Sequence, residues 1–183
     1  MNVVPLAGVL PHPWRNGGGS TRELLAWPHA DDWLLRVSVA TVAQSGAFSA
    51  FAGVDRWFAV VAGAGISLAL PSGGVVLTTA SPPLHFAGEA APHAQLLAGS
   101  TQDLNFMVRR NAGSGKLRSA APGSAAPDAA WRALFTAAAL TLDVDGIELP
   151  GARDTLLWAA QPQPAAWRLP AAARAWWLCW NPL

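Results

Sequence analysis

Cysteine is nearly absent from this chain of 183 residues, which contains only Cys179. A single cysteine excludes an internal disulfide and is typical of a protein from a reducing compartment. Cys179 lies between Trp177 and Trp180 in an apolar segment, so we interpret it as a core thiol rather than a nucleophile. We therefore expect a cytoplasmic protein.

Charge is also scarce, at 13% of the residues with a net charge of +1. This balance gives no electrostatic basis for binding nucleic acid or an anionic membrane. No apolar run is long enough to span a membrane, and no basic segment followed by an apolar one indicates a signal peptide. The 52% of hydrophobic residues supply a core for one domain, or for two very small ones.

Histidine pairs of the His-x-His type, which point two imidazoles from one strand at one metal, are missing. His85, Glu89 and His93 are spaced by four as on a helix face, but Gly88 and Pro92 make that segment a poor helix. We therefore expect no metal site and no cofactor.

Short apolar runs separated by Gly, Pro and Ser are what the sequence does contain, and they predict an all-β protein. The clearest strands fall in 33–42, 55–70, 103–110 and 140–150. The last of these is a hairpin that turns at Asp145-Gly146. Many short antiparallel strands favour a sandwich or a jelly-roll barrel.

Two segments depart from this pattern. Residues 111–127 are rich in Gly, Ser, Ala and Pro with little to bury, so we predict a flexible surface loop there. Residues 128–135, DAAWRALF, form the one modest helical candidate and fit a strand equally well.

Polar residues recur at alternate positions of two predicted strands. Asp103, Asn105 and Arg109 share one face of the later strand, and Arg36 lies on one face of the earlier one. These faces are either the solvent side of a sheet or the lining of a barrel mouth, where Arg36 would bind a carboxylate with its planar fork. Asp55-Arg56 is best explained locally as a turn with its own salt bridge.

Three successive glycines follow Trp14-Arg15-Asn16 in the stretch PHPWRNGGGSTREL, residues 11–24. Such a loop could bring backbone N–H groups against a carboxylate. It could equally cross the barrel mouth for packing alone, with Trp14 as a plug. We favour the first interpretation.

Several phrases, taken together and in order, resemble the HutD/Ves family of cupin-type proteins. They are PWRNGGGSTRE (13–23), LRVSVATV (35–42), GAFSAFAGVDRWFAVVAGAGISL (46–68), LHFAGE (84–89) and STQDLNFMVRR (100–110). The resemblance implies a bicupin, with two jelly-roll barrels in one chain. We expect the main barrel in 1–110, the loop in 111–127, and a shorter second barrel half in 128–183.

The resemblance also implies a function and a set of ligand-binding residues. HutD-like proteins are associated with bacterial histidine utilisation and are thought to bind a small acidic intermediate, such as formylglutamate or urocanate, without catalysis, whereas Ves-like members are linked to stress or cold responses. Arg36 would anchor the anion, Asn16 and the glycine amides would orient the ligand, and Phe48 and Phe51 would wall the pocket. The implied set is Asn16, Gly17, Gly18, Gly19, Thr21, Glu23, Arg36, Ser38, Phe48, Phe51, Arg56, Asp103, Asn105 and Met107.

Two alternatives stay open. A metal-independent cupin isomerase or lyase would use Glu23 or Asp103 as its general base. An interaction protein with a vestigial pocket would use the Trp-rich end, Trp176-Trp177 with Trp180, as the surface of a homodimer.

Overall fold

The computed structural model describes residues 1–160 and 166–183, and their regular structure is almost entirely β. The strands of these residues are, in chain order, β1 (Asn2–Pro5), β2 (His12–Pro13), β3 (Gly19–Trp27), β4 (Leu35–Val42), β5 (Gly46–Ala47), β6 (Val54–Ala62), β7 (Ile66–Leu70), β8 (Gly73–Leu77), β9 (Leu84–Ala87), β10 (His93–Leu96), β11 (Thr101–Arg109), β12 (Gly113–Ser119), β13 (Trp131–Thr136), β14 (Leu140–Val144), β15 (Ile147–Gly151), β16 (Thr155–Ala160), β17 (Trp167–Arg168) and β18 (Ala175–Pro182). Two single-turn 3-10 helices lie at Leu6–Gly8 and Gly88–Ala90. Within these described ranges, no helix is long and apolar enough to cross a membrane. The all-β prediction is confirmed.

The chain divides into two compact units. The N-terminal unit is Leu10–Ala112, and the C-terminal unit combines Met1–Val9 with Gly113–Leu183. The first nine residues belong to the C-terminal unit because β1 pairs with β16, with Asn2 opposite Trp158.

The N-terminal unit contains two antiparallel sheets. One has the strand order β2-β3-β4-β11-β6-β9, and the other has the order β5-β10-β7-β8. Phe58 and Val60 of the first sheet share a buried cluster with Ile66 and Leu68 of the second. The two sheets therefore pack face to face around an apolar core.

The C-terminal unit repeats this arrangement with fewer strands. Its larger sheet has the order β1-β16-β13-β18-β12, and its smaller sheet has the order β15-β14-β17. Leu134 and Trp177 of the larger sheet pack with Leu142 and Trp167 of the smaller one. Each unit thus buries its own core.

None of these four sheets closes into a barrel among the described residues, because each retains two edge strands. The expected pair of closed barrels is therefore not found. Each unit instead consists of two open sheets packed against each other.

Two local predictions need correction. Residues Gly113–Ser119, expected in a flexible loop, form β12, which pairs with β18 and buries Leu117. The helical alternative for 128–135 is wrong, because Trp131–Thr136 form β13 between β16 and β18. All six residues of β13 are buried, so neither a helical nor a strand periodicity is visible in the sequence.

The predicted hairpin is confirmed as β14 and β15. Asp145 and Gly146 connect the two strands with φ values of 52° and 84°. Positive φ at both central residues is what a tight hairpin turn requires, and Asp-Gly is a favoured sequence for it.

Candidate functional site

The polar side chains of the N-terminal unit lie in rows across neighbouring strands. Met107 of β11 is opposite Arg36 of β4 on one side and Arg56 of β6 on the other. In the next row, Asn105 of β11 is opposite Ser38 of β4 on one side and Phe58 of β6 on the other. Because cross-strand partners point to the same face of a sheet, these side chains converge on one surface.

A cavity of about 500 Å³ opens over this surface. Its volume lies in the range typical of small-molecule sites. It is lined by Pro13, Trp14, Arg15, Asn16, Thr21, Arg36, Ser38, Ala40, Ala47, Phe48, Ser49, Phe51, Arg56, Asn105 and Met107. The lining contains three arginines and no Asp or Glu, so the cavity is suited to an anion.

Arg56 is the most buried of these arginines, with 5% of its surface exposed. Its Nη2 donates to Asn105 Oδ1 at 2.8 Å, and its Nη1 makes a long contact with the carbonyl oxygen of Ser49 at 3.4 Å. The Nε atom is buried and has no hydrogen-bond partner within the described part of the chain. The guanidinium therefore has unused donor capacity.

Aromatic rings surround the same guanidinium. Its Cζ lies 5.6 Å from the ring centre of Phe48, 5.4 Å from that of Phe51 and 5.2 Å from that of Phe86. Burial lowers the pKa of Arg56 to about 10, so the side chain is still charged at neutral pH. Ring faces compensate a buried cation only in part. No carboxylate of the described residues forms an ion pair with Arg56, and a ligand carboxylate would supply the missing charge.

Arg36 differs because its charge is already matched. Its Nη2 donates to the Glu23 carboxylate, and its Cζ lies 5.3 Å from the ring centre of Trp33. About a quarter of the Arg36 side chain is exposed to solvent. The predicted anion anchor therefore has an acidic partner, whereas Arg56 has no acidic partner among the residues that the structure describes.

Asp103 continues the polar row of β11, two residues before Asn105, but it does not line the cavity. It is fully buried, and Thr101 Oγ1 donates to its Oδ2 at 2.8 Å. Its Oδ1 has no partner within the described part of the chain. Burial raises the pKa of Asp103 to about 7, and the Thr101 hydrogen bond opposes that rise.

The three glycines serve packing more than ligand contact. The Gly17 amide donates to the Trp14 carbonyl oxygen, and the Gly18 amide donates to Asn16 Oδ1, each at 3.0 Å. A Cβ on Gly19 would lie 2.3 Å from the Thr41 carbonyl oxygen and 3.0 Å from the Trp14 ring. Two of the amides predicted to orient a ligand are thus engaged within the loop, and the glycines let Trp14 approach the sheet.

The residues considered for a metal are dispersed. His85 stacks on Trp57 with ring centres 4.4 Å apart, and Glu89 binds Arg110 and the Gly53 amide. His93 is exposed on β10. Within 1–160 and 166–183, no three His, Cys, Asp or Glu side chains come together as a metal site would need.

A family model described as HutD matches residues 7–178 of the chain. The chain belongs to the HutD family. It is also similar to the protein Ves of Citrobacter koseri, with 37% identity over 107 residues. That match covers 57% of this chain and 56% of the Ves protein, so it spans little more than half of either.

Solved structures resemble the whole chain of this HutD family member. A conserved protein of unknown function from Pseudomonas aeruginosa PAO1 is 26% identical, with a TM-score of 0.86 over 100% of this chain and 98% of that one. HutD from Pseudomonas fluorescens SBW25 is 23% identical, with the same TM-score and coverage. A cupin 2 conserved barrel domain protein from Leptotrichia buccalis reaches a TM-score of 0.61 at 8% identity, over 97% and 95% of the two chains. The fold is therefore cupin-like.

Most of the residues implied by the HutD resemblance gather at the cavity. Those in its lining are Asn16, Thr21, Arg36, Ser38, Phe48, Phe51, Arg56, Asn105 and Met107. Gly18 lines a smaller neighbouring cavity of about 220 Å³. Gly17, Gly19, Glu23 and Asp103 lie outside both linings, with Glu23 held by Arg36 and Asp103 buried in the sheet.

The local interpretation of the sequence gave Asp55 the wrong partner, and the implied ligand-binding set omitted part of the lining. Asp55 pairs with Arg110 at 3.2 Å rather than with its neighbour Arg56. Adjacent strand residues point to opposite faces, which separates Asp55 from Arg56 and was available from the sequence. Trp14 and Arg15 also line the cavity, and their position directly before Asn16 was the signal for them.

Proposed function

We propose that this chain binds a small carboxylated metabolite, without catalysis, in the cavity of its N-terminal unit. Arg56 anchors a ligand carboxylate. The observation that carries the proposal is a charged arginine that is 5% exposed, has no acidic partner among the described residues and lines a cavity without acidic side chains. Family membership supports a role in limiting or regulating histidine utilisation, with formylglutamate or urocanate as candidate ligands.

The spacing of the arginines favours a ligand with two carboxylates. Arg36 and Arg56 flank Met107 in one row, which places their Cα atoms about 10 Å apart, since each cross-strand step is about 5 Å. Arg15 lines the same cavity. One carboxylate binds Arg56, and the other binds Arg36 or Arg15. Formylglutamate meets this requirement better than urocanate, which has a single carboxylate.

The remaining polar lining groups complete the proposed recognition. Thr21 Oγ1 accepts a hydrogen bond from Trp14 Nε1 at 2.8 Å, so its own proton is free to donate. Ser38 lies beside Asn105 in the next row and offers a hydroxyl to the cavity. The two units together form the proposed bicupin, in which this cavity is the ligand site of the first.

The enzyme and dimer alternatives are less well supported. Of the two general bases considered, Glu23 is paired with Arg36, and Asp103 is fully buried and does not line the cavity. Trp176, Trp177 and Trp180 are each at most 4% exposed, which leaves little of them for a partner surface.

A thermal-shift titration tests the proposal. A ligand at 100 times its Kd stabilises the fold by about 2.7 kcal/mol, which raises the Tm of a chain this size by roughly 5–10 °C. We expect formylglutamate or another small dicarboxylate to give this shift with the wild type, and Arg56→Gln to abolish it. Arg109→Gln is the matched control, because Arg109 lies on β11, the strand paired with the β6 strand of Arg56, pairs with Asp32 and does not line the cavity. An equal shift in wild type and Arg56→Gln would refute the anchor.

A further inference from the structure

We infer that the C-terminal unit carries a second anion-binding site, centred on Arg132 and separate from the cavity of the N-terminal unit. Arg132 lies on β13, the central strand of the five-stranded sheet, and is 6% exposed. Its Cζ lies 5.6 Å from the ring centre of Trp167. This is a second nearly buried arginine that lies over an aromatic ring.

The register of the sheet brings further cations to the same face. Cys179 of β18 is opposite Arg132 on one side and Lys116 of β12 on the other. Lys116 and Arg132 therefore flank Cys179 in one row, with Cα atoms about 10 Å apart. Arg118 follows Lys116 by two residues along β12, so it lies on the same face. We call Lys116, Arg118 and Arg132 the C-terminal cationic cluster.

Nothing in the described part of the chain neutralises this cluster. None of its three side chains takes part in an ion pair with the carboxylates of 1–160 and 166–183. Arg118 donates one hydrogen bond, to the carbonyl oxygen of Ala125 at 3.0 Å. Burial raises the pKa of the Cys179 thiol, and the positive charges of Arg118 and Lys116 oppose that rise.

The guanidinium of Arg132 has no hydrogen-bond acceptor among the described residues, yet it is not sealed. Unlike Arg56 Nε, none of its nitrogen atoms is both fully buried and without a hydrogen-bond partner. The planar fork of an arginine can bind an oxyanion in bidentate fashion. Lys116 adds a mobile point charge.

These groups fit a small, multiply charged oxyanion. Three cations on one face, with no ion pair to a carboxylate of the described residues, favour a ligand with at least two negative charges. Phosphate and a polycarboxylate such as citrate share this chemistry. The site is independent of Arg56, which belongs to the other unit.

Calorimetric titration with inorganic phosphate and, separately, with citrate tests this site. Both titrations use the full chain carrying Arg56→Gln, so that the first cavity does not contribute, at an ionic strength held constant with NaCl. We expect at least one of the two anions to bind with a stoichiometry of one. The anion that binds more tightly shows whether the site prefers a phosphate or a polycarboxylate. Adding Arg132→Gln should weaken binding at least tenfold, and adding Lys116→Gln several-fold.

Arg153→Gln is the matched control, because Arg153 lies in the same unit, is largely exposed and pairs with Asp154 outside the cluster. Arg132→Lys keeps the charge but loses the planar guanidinium, so it should also weaken binding. This variant replaces Arg132→Gln as the test if Arg132→Gln fails to fold. In parallel, the indole N–H signal of Trp167 should move on titration. No binding of either anion, or an equal loss in Arg153→Gln, would overturn the proposal. If Arg56→Gln alone abolishes the dicarboxylate-induced rise in Tm while phosphate or citrate still binds, the first cavity and this second site are separate.

Discussion

At the scale of single residues, the two inner arginines of the N-terminal cavity differ in their counter-charge. Arg36 is paired with Glu23 and partly exposed, so its ion pair contributes little to stability. Arg56 is buried among phenylalanine rings, and its acceptors among the described residues are Asn105 and a backbone oxygen. On the proposed function, Arg56 should therefore be the side chain whose environment changes most on anion binding.

The Glu23–Arg36 pair leads to a prediction about affinity. Because Glu23 competes with the second carboxylate of a ligand for Arg36, Glu23→Gln should tighten dicarboxylate binding several-fold while leaving a monocarboxylate unaffected. Isothermal titration with the two ligand classes measures the difference. Glu89→Gln is the control, since Glu89 also pairs with an arginine, Arg110, outside the cavity. Weaker dicarboxylate binding in Glu23→Gln would assign Glu23 to the ligand instead.

Asp103 makes the stability of the fold depend on pH. Its folded pKa of about 7 lies above its usual value of 3.8, so between these values the folded state holds a proton that the unfolded state has lost. The free energy of unfolding should therefore fall as pH rises from about 4 to about 7, with a slope of up to about 1.4 kcal/mol per pH unit. Above the folded pKa the contribution is constant.

Urea unfolding from pH 4.5 to 8 checks this, with Asp103→Asn as the reference. The amide oxygen of the variant can still accept from the Thr101 hydroxyl. The difference between wild type and variant should change with pH in the predicted direction. A difference that stays flat would show that Asp103 is ionised throughout.

Residue roles were only partly predictable from the sequence. Alternation along 103–109 correctly placed Asp103 and Asn105 on one face. It could not show that Glu23 would reach Arg36 from the neighbouring strand, because the pairing of β3 with β4 contains a register shift between Glu23 and Leu25. The ion pair of Arg36 with Glu23 is why we propose Arg56, rather than Arg36, as the anchor.

At the scale of elements, the glycine loop owes its composition to close approach. Gly17 has a φ of 70°, and Gly19 begins β3 where the backbone passes next to Thr41 and Trp14. The loop thereby seats Trp14 at the cavity, with its ring 6.4 Å from that of Phe48. The sequence marked this segment as unusual but did not separate packing from ligand contact.

Gly19→Ala tests that account of the loop. The added methyl would overlap the Thr41 carbonyl oxygen, so the strand must shift, and we expect a loss of stability of roughly 2–4 kcal/mol, at the upper end for single substitutions. Gly46→Ala is the control, because a Cβ there meets nothing within 4 Å. Denaturant unfolding measures both. Equal stability of the two variants would contradict the close approach.

Strand β12 shows why composition misled. Its residues are mostly Gly, Ser and basic, which is typical of loops, and Leu117 is its one large apolar side chain. An edge strand needs little more, because β18 supplies the hydrogen-bonding partner along its whole length. Pairing with a distant strand is a tertiary effect that a local window does not contain.

At the scale of the whole molecule, periodicity and turn signals correctly predicted an all-β chain. The ordered phrases correctly indicated the HutD family, whose model covers residues 7–178. Whether the sheets close into barrels was not predictable from the sequence. Closure requires the two edge strands of a sheet to pair with each other, and the number of strands does not show this. Likewise, only the pairing of β1 with β16 reveals that the first residues belong with the C-terminal unit.

The central claim is that the guanidinium of Arg56, which has no acidic partner among the described residues, receives the ligand carboxylate. The most direct measurement is an NMR titration of arginine-labelled protein with a small dicarboxylate, following the Nε–H signal of Arg56, assigned by its loss in Arg56→Gln. We predict that this signal shifts at saturation and that its hydrogen exchange slows, while the Arg109 signal stays in place. Saturable dicarboxylate binding with an unchanged Arg56 signal would contradict the account.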